Sequence, residues 1–512
     1  MNEEHTSSAM GTAGLLSEGR NCWRKSTAQD FTLVVDGAAY FKALRHSLCE
    51  ARDQVLLIGW DFDFEIEMLP GESDADGNAP DGLPNHVGPF LEALVDREPN
   101  LSIFLLRWTG STVFAPGRVV PALKLGLGGS DRIRLAFDGR HPVGACHHQK
   151  IVVIDDALAF CGGIDVTDAR WDTPDHAPGN PLRHLRDGSP AAPWHDVAAA
   201  VTGPVASDFG DLARTRWERA TGERLSPPTP AETPVWPNGL DVDCSDVPVA
   251  ISRTEPPEQD TPLVCEIERQ LLDGIAAAKE TIYLESQYFA SDTVTDALER
   301  RLKETGGPDI IVINPTRAFS AIEHEAMHET RARMIARLAE ADHENRFRIW
   351  VPVNTAGEPI YVHAKLCVID DILLRVGSSN LNQRSMGFDT ECDLSLEGTT
   401  PEIRETISTF RDRMLAEHLG VDLPRLQDRI AQEARVLSAV EALNAPEGRG
   451  LRQLAEGGDS VIADVLAETR LLDPRYEQGE VKSTGVTARH MAIGALGVLA
   501  IAAVWWNWRQ GK

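Results

Sequence analysis

Several things that would narrow the class of this chain at once are missing or scarce. Its eight cysteines, Cys22, Cys49, Cys146, Cys161, Cys244, Cys265, Cys367 and Cys392, form no Cys-x-x-Cys pair. That spacing gives neither a zinc site nor a disulfide framework and leaves buried, reduced thiols as the expectation. Positive charge is short: Lys and Arg total 50 against 78 Asp and Glu, a formal charge of -28. A surface this acidic repels phosphate backbones unless a local basic pocket overrides it, so general nucleic-acid binding is disfavoured. The opening MNEEHTSSAMGTAGLLSEGRN lacks a basic region followed by an apolar core. It does not read as a secretory signal, and a cytoplasmic catalytic body is expected.

What is present starts with length. At 512 residues, 42% of them apolar, the chain is expected to fold as two domains or two halves of one large domain. The far end differs from the rest. From Met491 to Trp508, MAIGALGVLAIAAVWWNW has no charge and one polar side chain, Asn507. Eighteen helical residues at 1.5 Å each reach roughly 27 Å, near the thickness of a bilayer's hydrocarbon core. Trp505, Trp506 and Trp508, followed by Arg509 and Lys512, resemble an interfacial belt with a basic stop. A single C-terminal transmembrane anchor over 489–512 and a membrane-associated protein are therefore expected.

The chain also repeats itself. HHQKIVVIDDALAFCGGID (147–165) and VHAKLCVIDDILLRVGSSN (362–380) share an outline. The offset 363 − 148 = 215 carries His148 to His363, Lys150 to Lys365, Asp155 to Asp370, Gly162 to Gly377 and Asp165 to Asn380. A second block matches after a slip in register: HDVAAAVTG (195–203) against TECDLSLEG (390–398), with Asp196 and Glu391 each opening a strand-like run. Amphipathic helix followed by strand occurs in both AAYFKALRHSLCEARDQVLLIGWDFD and LVCEIERQLLDGIAAAKETIYLESQYF. Strands alternating with helices argue for an α/β layered fold.

The expected organisation is a flexible N-terminus over 1–28, a first half over 29–225, a Pro-rich linker over 226–245, a second half over 246–422 and a charged helical connector over 423–488.

Each copy of the motif reads His-x-Lys-x-x-x-x-Asp. Residues two apart on an extended chain share a face, so His148 and Lys150 point together, as do His363 and Lys365. Halves related by a pseudo-twofold axis would bring both pairs to one cleft. Two imidazoles and two ammonium groups in a small volume suit a phosphate ester: one histidine attacks phosphorus, the other protonates the leaving oxygen, and the lysines neutralise the equatorial oxygens. That chemistry calls for no cofactor and no metal, because cations are already in place.

These doubled motifs resemble the phospholipase D superfamily over roughly residues 30–420. The resemblance implies two α/β/α halves sharing one active-site cleft, with His148, His363, Lys150, Lys365 and the downstream Asn380 and Ser378 forming the phosphate site. Asp165 stands where the second copy has Asn380. Family precedent makes His148 the nucleophile and His363 the acid and then base. It places Glu391, 28 residues after His363, on the His363 imidazole, and Asp196 as its counterpart on His148. Asp155 and Asp370, five residues beyond their lysines, are expected to brace structure rather than touch phosphate.

GWDFD, WHDV and YLESQYF are similar to the large phospholipase D enzymes, which implies hydrolysis of a phospholipid to phosphatidate and a free alcohol, possible headgroup transfer included. A cardiolipin synthase-like phosphatidyltransferase is the alternative, a catalytically silent lipid-binding protein a third reading, and a nuclease is disfavoured by charge. Both motifs lie in one chain, so a monomer is expected to suffice. His324-Glu-Ala-Met-His328 matches the zinc motif His-Glu-x-x-His, with no third ligand at a persuasive spacing. His147 and His195 are expected to shape loops. Trp60, Gln287 and Tyr288 are expected to pack at strand ends, with Glu285 a candidate hydrogen-bond partner.

Overall fold

The computed structural model describes residues 14–114, 118, 130–229, 235–258, 261–316, 321–454, 473–477 and 480–482. The first half contributes β1 (Arg24–Val35), β2 (Gln54–Gly59), β3 (Ser102–Trp108), β4 (Ile133–Asp138), β5 (Ile151–Ile154), β6 (Leu158–Gly162), β7 (Trp194–His195) and β8 (Val197–Thr202). The second contributes β9 (Cys244–Glu255), β10 (Val264–Cys265), β11 (Thr281–Glu285), β12 (Phe289–Ala290), β13 (Asp309–Ile313), β14 (Phe347–Val353), β15 (Tyr361–Val362), β16 (Leu366–Ile369), β17 (Leu373–Gly377), β18 (Leu381–Asn382) and β19 (Glu391–Glu397). A late strand, β20 (Gly450–Gln453), returns to the edge.

These strands build one 16-stranded sheet in the order β20-β14-β13-β11-β16-β17-β19-β9-β1-β8-β6-β5-β2-β3-β4, with β10 on β9. Read outward from the β9–β1 junction, both sides have the same plan. Four antiparallel strands (β1, β8, β6, β5 and β9, β19, β17, β16) lead to three mutually parallel ones (β2, β3, β4 and β11, β13, β14). The duplication visible in the sequence is thus a pseudo-twofold in the fold.

Central strands such as QVLLIG, IVVI and LCVI are buried along their whole length. They read as continuous apolar runs because helices cover both faces. On one face a single apolar core crosses the junction beneath helices Pro204–Thr221 and Pro401–Leu419, uniting Phe209, Trp217, Ile251, Leu394, Phe410 and Leu415. On the other face each half has its own core, under helices Asp36–Cys49 and Val87–Arg97 in the first and Glu266–Ala277 and Asp292–Leu302 in the second. The architecture is α/β, two related halves on one sheet.

Three expectations change. Residues 14–28 are not a loose tail: Leu16 and Cys22 are buried and β1 begins at Arg24, because its backbone pairs with β9 along Arg24↔Ile251 to Phe31↔Cys244. The stretch after 422 is not helical throughout. Helices Leu423–Glu433 and Val436–Leu443 are followed by β20, which pairs antiparallel with β14 and closes that edge. The expectation of a single C-terminal membrane-spanning helix, with the localisation built on it, is withdrawn. Among the described residues no helix is long and apolar enough to cross a membrane, and 491–508 lies outside them. The two longest described helices, Ala321–Ala341 and Pro401–Leu419, are studded with charges such as Arg331, Arg333, Arg411 and Asp412. Between Thr221 and Cys244 the described residues form no helix or strand.

Candidate active site

Both His-x-Lys pairs lie in extended chain just ahead of a buried strand, β5 in the first half and β16 in the second. Each is pinned to the other half. The His148 N–H donates to the Thr390 carbonyl at 3.0 Å, and the His363 N–H to the His195 carbonyl at 2.8 Å. Strand β15 runs parallel to β7, Val362 opposite His195, and His147 bridges Thr390 in the same way. The segment before each motif therefore pairs with the segment before the opposite half's acid.

The consequence is a crossed arrangement of carboxylates, and here the sequence-based assignment is corrected. His148 Nδ1 lies 2.9 and 3.1 Å from the two oxygens of Glu391, and His363 Nδ1 lies 2.7 Å from Asp196. The acid nearest in sequence serves the other histidine, because pairing across the pseudo-twofold decides which carboxylate reaches which ring. Glu391 is held in turn by the hydroxyls of Ser378 at 2.5 Å and Ser385 at 2.7 Å. Ser378, expected at the phosphate, thus orients Glu391, and Ser385 was not singled out by the motif.

Lys150 Nζ donates to the His148 carbonyl at 3.2 Å and lies 3.1 Å from Asp165. Asp165 therefore pairs with a lysine and accepts from the Trp60 N–H at 3.1 Å, rather than occupying an amide-like position. Lys365 Nζ donates to the His363 carbonyl. Asn380 is 4% exposed, and its side-chain oxygen has no hydrogen-bond partner among the described residues. An unpaired buried acceptor is costly, which marks this position as one awaiting a donor. Asp155 and Asp370 sit away from the rings: each carboxylate accepts three successive backbone N–H groups, those of Arg52, Asp53 and Gln54 and those of Lys279, Glu280 and Thr281.

The two motifs share one electrostatic environment. Burial pushes His148 well below the usual histidine range, and Lys150 and Lys365 add to it. His363 is pushed the same way by burial, then by Lys365, Arg170, Lys150 and His148. Burial also lowers Lys365 to about 7, with Lys150 adding to the effect against the pull of Asp196. Burial raises Asp196 and Glu391 above the ordinary carboxylate range. Two imidazoles held neutral first by burial and then by neighbouring cations are poised for an anion, whose charge would favour a proton on one ring.

Of the other residues weighed, Gln287 donates to the Tyr288 and Tyr361 hydroxyls at 3.0 and 2.9 Å. Trp60 packs on Trp108 with ring centroids 5.6 Å apart, and His147 Nδ1 lies 3.1 Å from Asp138. Trp194 stacks on Tyr361 and lies 5.0 Å from the His363 ring, forming one wall of the site. His324 and His328 lie in helix Ala321–Ala341, their side chains outside the described residues. Glu285 and His195 are 2.9 Å apart in a buried cluster that the repeat gave no reason to expect.

Comparison with known proteins gives this geometry a lineage. A family model described as "Phospholipase D" matches residues 139–260, and one described as "Cardiolipin synthase, PLD-like domain" matches 271–414, so each half carries its own match. The chain belongs to the phospholipase D superfamily. Among relatives of this superfamily member, phospholipase D alpha 1 of Nicotiana tabacum is 24% identical, covering 54% of this chain and 49% of the relative. Phospholipase D1 of Schizosaccharomyces pombe is also 24% identical, covering 55% of this chain and 28% of that one. The chain spans about half or less of the curated relatives it matches. Among solved structures, the phosphatidylserine synthase of Haemophilus influenzae Rd KW20 shares the fold at a TM-score of 0.50 and 10% identity, over 82% of this chain and 96% of that one.

Proposed function

We propose that this phospholipase D-superfamily chain is a phospholipase D-type phosphodiesterase that hydrolyses a phospholipid headgroup to phosphatidate through a phosphohistidine on His148. The observation that carries the reading is the crossed pair of carboxylate–imidazole contacts, which leaves the Nε2 of each motif histidine available beside Lys150 and Lys365. His148 Nε2 attacks phosphorus while its Nδ1–H is held by Glu391. The P–O bond to the headgroup breaks, and His363, its positive charge supported by Asp196, delivers the proton to the departing alkoxide. His363 then takes a proton from water as that water attacks phosphorus, the P–N bond breaks, and phosphatidate leaves. Lys150, Lys365 and the Asn380 amide balance the charge on the non-bridging oxygens.

The test is to incubate the protein with phosphatidylcholine, phosphatidylethanolamine and phosphatidylglycerol, with and without a short alcohol. Phosphatidate from water and the phosphatidyl alcohol from competition support the proposal, with a phosphatidyl group trapped on His148. Cardiolipin made from phosphatidylglycerol without phosphatidate would replace hydrolysis by transfer. Lipid binding without turnover would overturn the enzymatic reading.

A further inference from the structure

Beneath the floor of the active site, at the seam between the halves, four side chains from four segments converge. Asp36 opens helix Asp36–Cys49, His176 lies in the loop between β6 and β7, His195 ends β7, and Glu417 projects from helix Pro401–Leu419 of the second half. Asp36, His176 and His195 are each fully buried, and the side chain of Glu417 is 10% exposed. One donor atom from each lies within 4.8 Å of all the others. His195 Nδ1 is 3.0 Å from Asp36 Oδ1 and 3.1 Å from Glu417 Oε1, while His176 Nε2 is 3.6 Å from Asp36 Oδ2 and 3.4 Å from Glu417 Oε1.

Despite these separations, His176 Nε2, His195 Nδ1, Asp36 Oδ2 and Glu417 Oε1 all lack a hydrogen-bond partner among the described residues. Four buried polar atoms that converge at ion-pair distance without a well-aligned hydrogen bond leave a place for a cation between them. The spacing fits: a tetrahedral ion with ligand bonds of about 2.0–2.1 Å has donor–donor edges of roughly 3.3 Å. The tautomers fit as well. The opposite nitrogen of each ring is already engaged by an acid, His176 Nδ1 with Asp172 at 2.9 Å and His195 Nε2 with Glu285 at 2.9 Å. Those contacts place the N–H on the far nitrogen and the lone pair on the converging one, as metal-bound histidines require. The backbone is bent to serve the cluster, since Asp36 and His176 are held at φ 64° and 45°.

We propose that Asp36, His176, His195 and Glu417 form a structural site for one divalent cation of the zinc type. Two imidazoles exclude the oxygen-seeking calcium and magnesium, and two carboxylates balance the charge of the ion. Four protein ligands fill the coordination of a tetrahedral ion and leave no place for substrate or water, so the ion takes no part in phosphoryl transfer. It fastens the first half to the last long helix of the second. It also steadies the catalytic pair: Asp36 exchanges backbone and side-chain hydrogen bonds with Asp196, at 2.8 and 3.2 Å, and the His195 carbonyl holds the His363 N–H.

The experiment measures bound metal in the full chain purified without chelator and grown with added zinc. One equivalent is expected, with an X-ray absorption edge fitted by four nitrogen and oxygen ligands. Stripping with a strong chelator should lower Tm by several degrees and re-addition of zinc should restore it. Cobalt added to the stripped protein should give the intense visible bands of a tetrahedral ion. Glu417→Gln should lose the equivalent while the thiols stay reduced and unliganded. A folded, metal-free protein that takes up neither zinc nor cobalt and keeps its Tm in chelator would overturn the proposal. So would an equivalent retained undiminished in the His176→Ala and Glu417→Gln variants. The wild-type strip-and-restore cycle decides the matter even if a variant fails to fold.

Discussion

The crossed carboxylates make a prediction that own-half pairing would invert. Under the proposed mechanism, Glu391→Gln should injure the histidine assigned to attack phosphorus, and Asp196→Asn the one assigned to protonate the leaving group. With a p-nitrophenyl phosphodiester the leaving group needs no proton, so the burst of p-nitrophenol isolates attack by His148. The Glu391 contacts at 2.9 and 3.1 Å and the Asp196 contact at 2.7 Å are short, buried and charge-assisted. A hydrogen bond to a charged group contributes about 1.5–3 kcal/mol, and each 1.4 kcal/mol is tenfold in rate. The Glu391→Gln burst should therefore slow about 10- to 150-fold, while the Asp196→Asn burst stays within about threefold of wild type and its steady-state rate falls. Rapid-quench kinetics reads both, and mass spectrometry of the trapped intermediate identifies the phosphorylated ring. A phosphate on His148 together with an Asp196→Asn burst defect and an intact Glu391→Gln burst would refute the crossed assignment.

Other outcomes follow from the same geometry. Because burial brings Lys365 down to about 7, it loses its charge as pH rises through that value; binding of tungstate to the free enzyme should weaken about tenfold from pH 6 to 8, and Lys365→Arg should flatten the profile in titration calorimetry. Asp370→Ala removes the acceptor of three backbone N–H groups, the shortest at 2.7 Å, and should cost roughly 3 kcal/mol in urea unfolding, with Asp370→Asn costing less since both residues tolerate its φ of 47°. Gly163→Ala would set a methyl 2.1 Å from the Asp196 carboxylate, so it should reproduce the Asp196→Asn kinetics although it touches neither histidine.

Much of this was legible because the repeat is local. His148, Lys150, His363 and Lys365 sit in short motifs at a fixed offset, and the α/β class follows from apolar runs alternating with helical spacing. The partner of each ring was not legible. Asp196 and Glu391 each lie closer in sequence to the histidine of their own half, and only the pairing of β7 with β15 and of His147 with Thr390 exchanges them. Nor could the motif show that Asp165 answers Lys150 or that Ser378 faces Glu391, since both depend on the turn out of β6 and β17. β20 escaped notice because GLRQ is four residues long and finds its place only beside β14. Asp36, His176, His195 and Glu417 come from separate segments with no common spacing, so nothing in one dimension joins them.

The seam where β1 meets β9 has a consequence for any attempt to divide the molecule. Over that stretch the two strands satisfy each other's backbone groups from Arg24↔Ile251 onward. A fragment carrying either half alone would bare a long edge of unmet amides and carbonyls, a template for self-association. It would also own a histidine whose carboxylate had gone with the missing piece. Separated fragments should thus be individually inert and sticky, and should regain turnover only when the complementary piece is supplied.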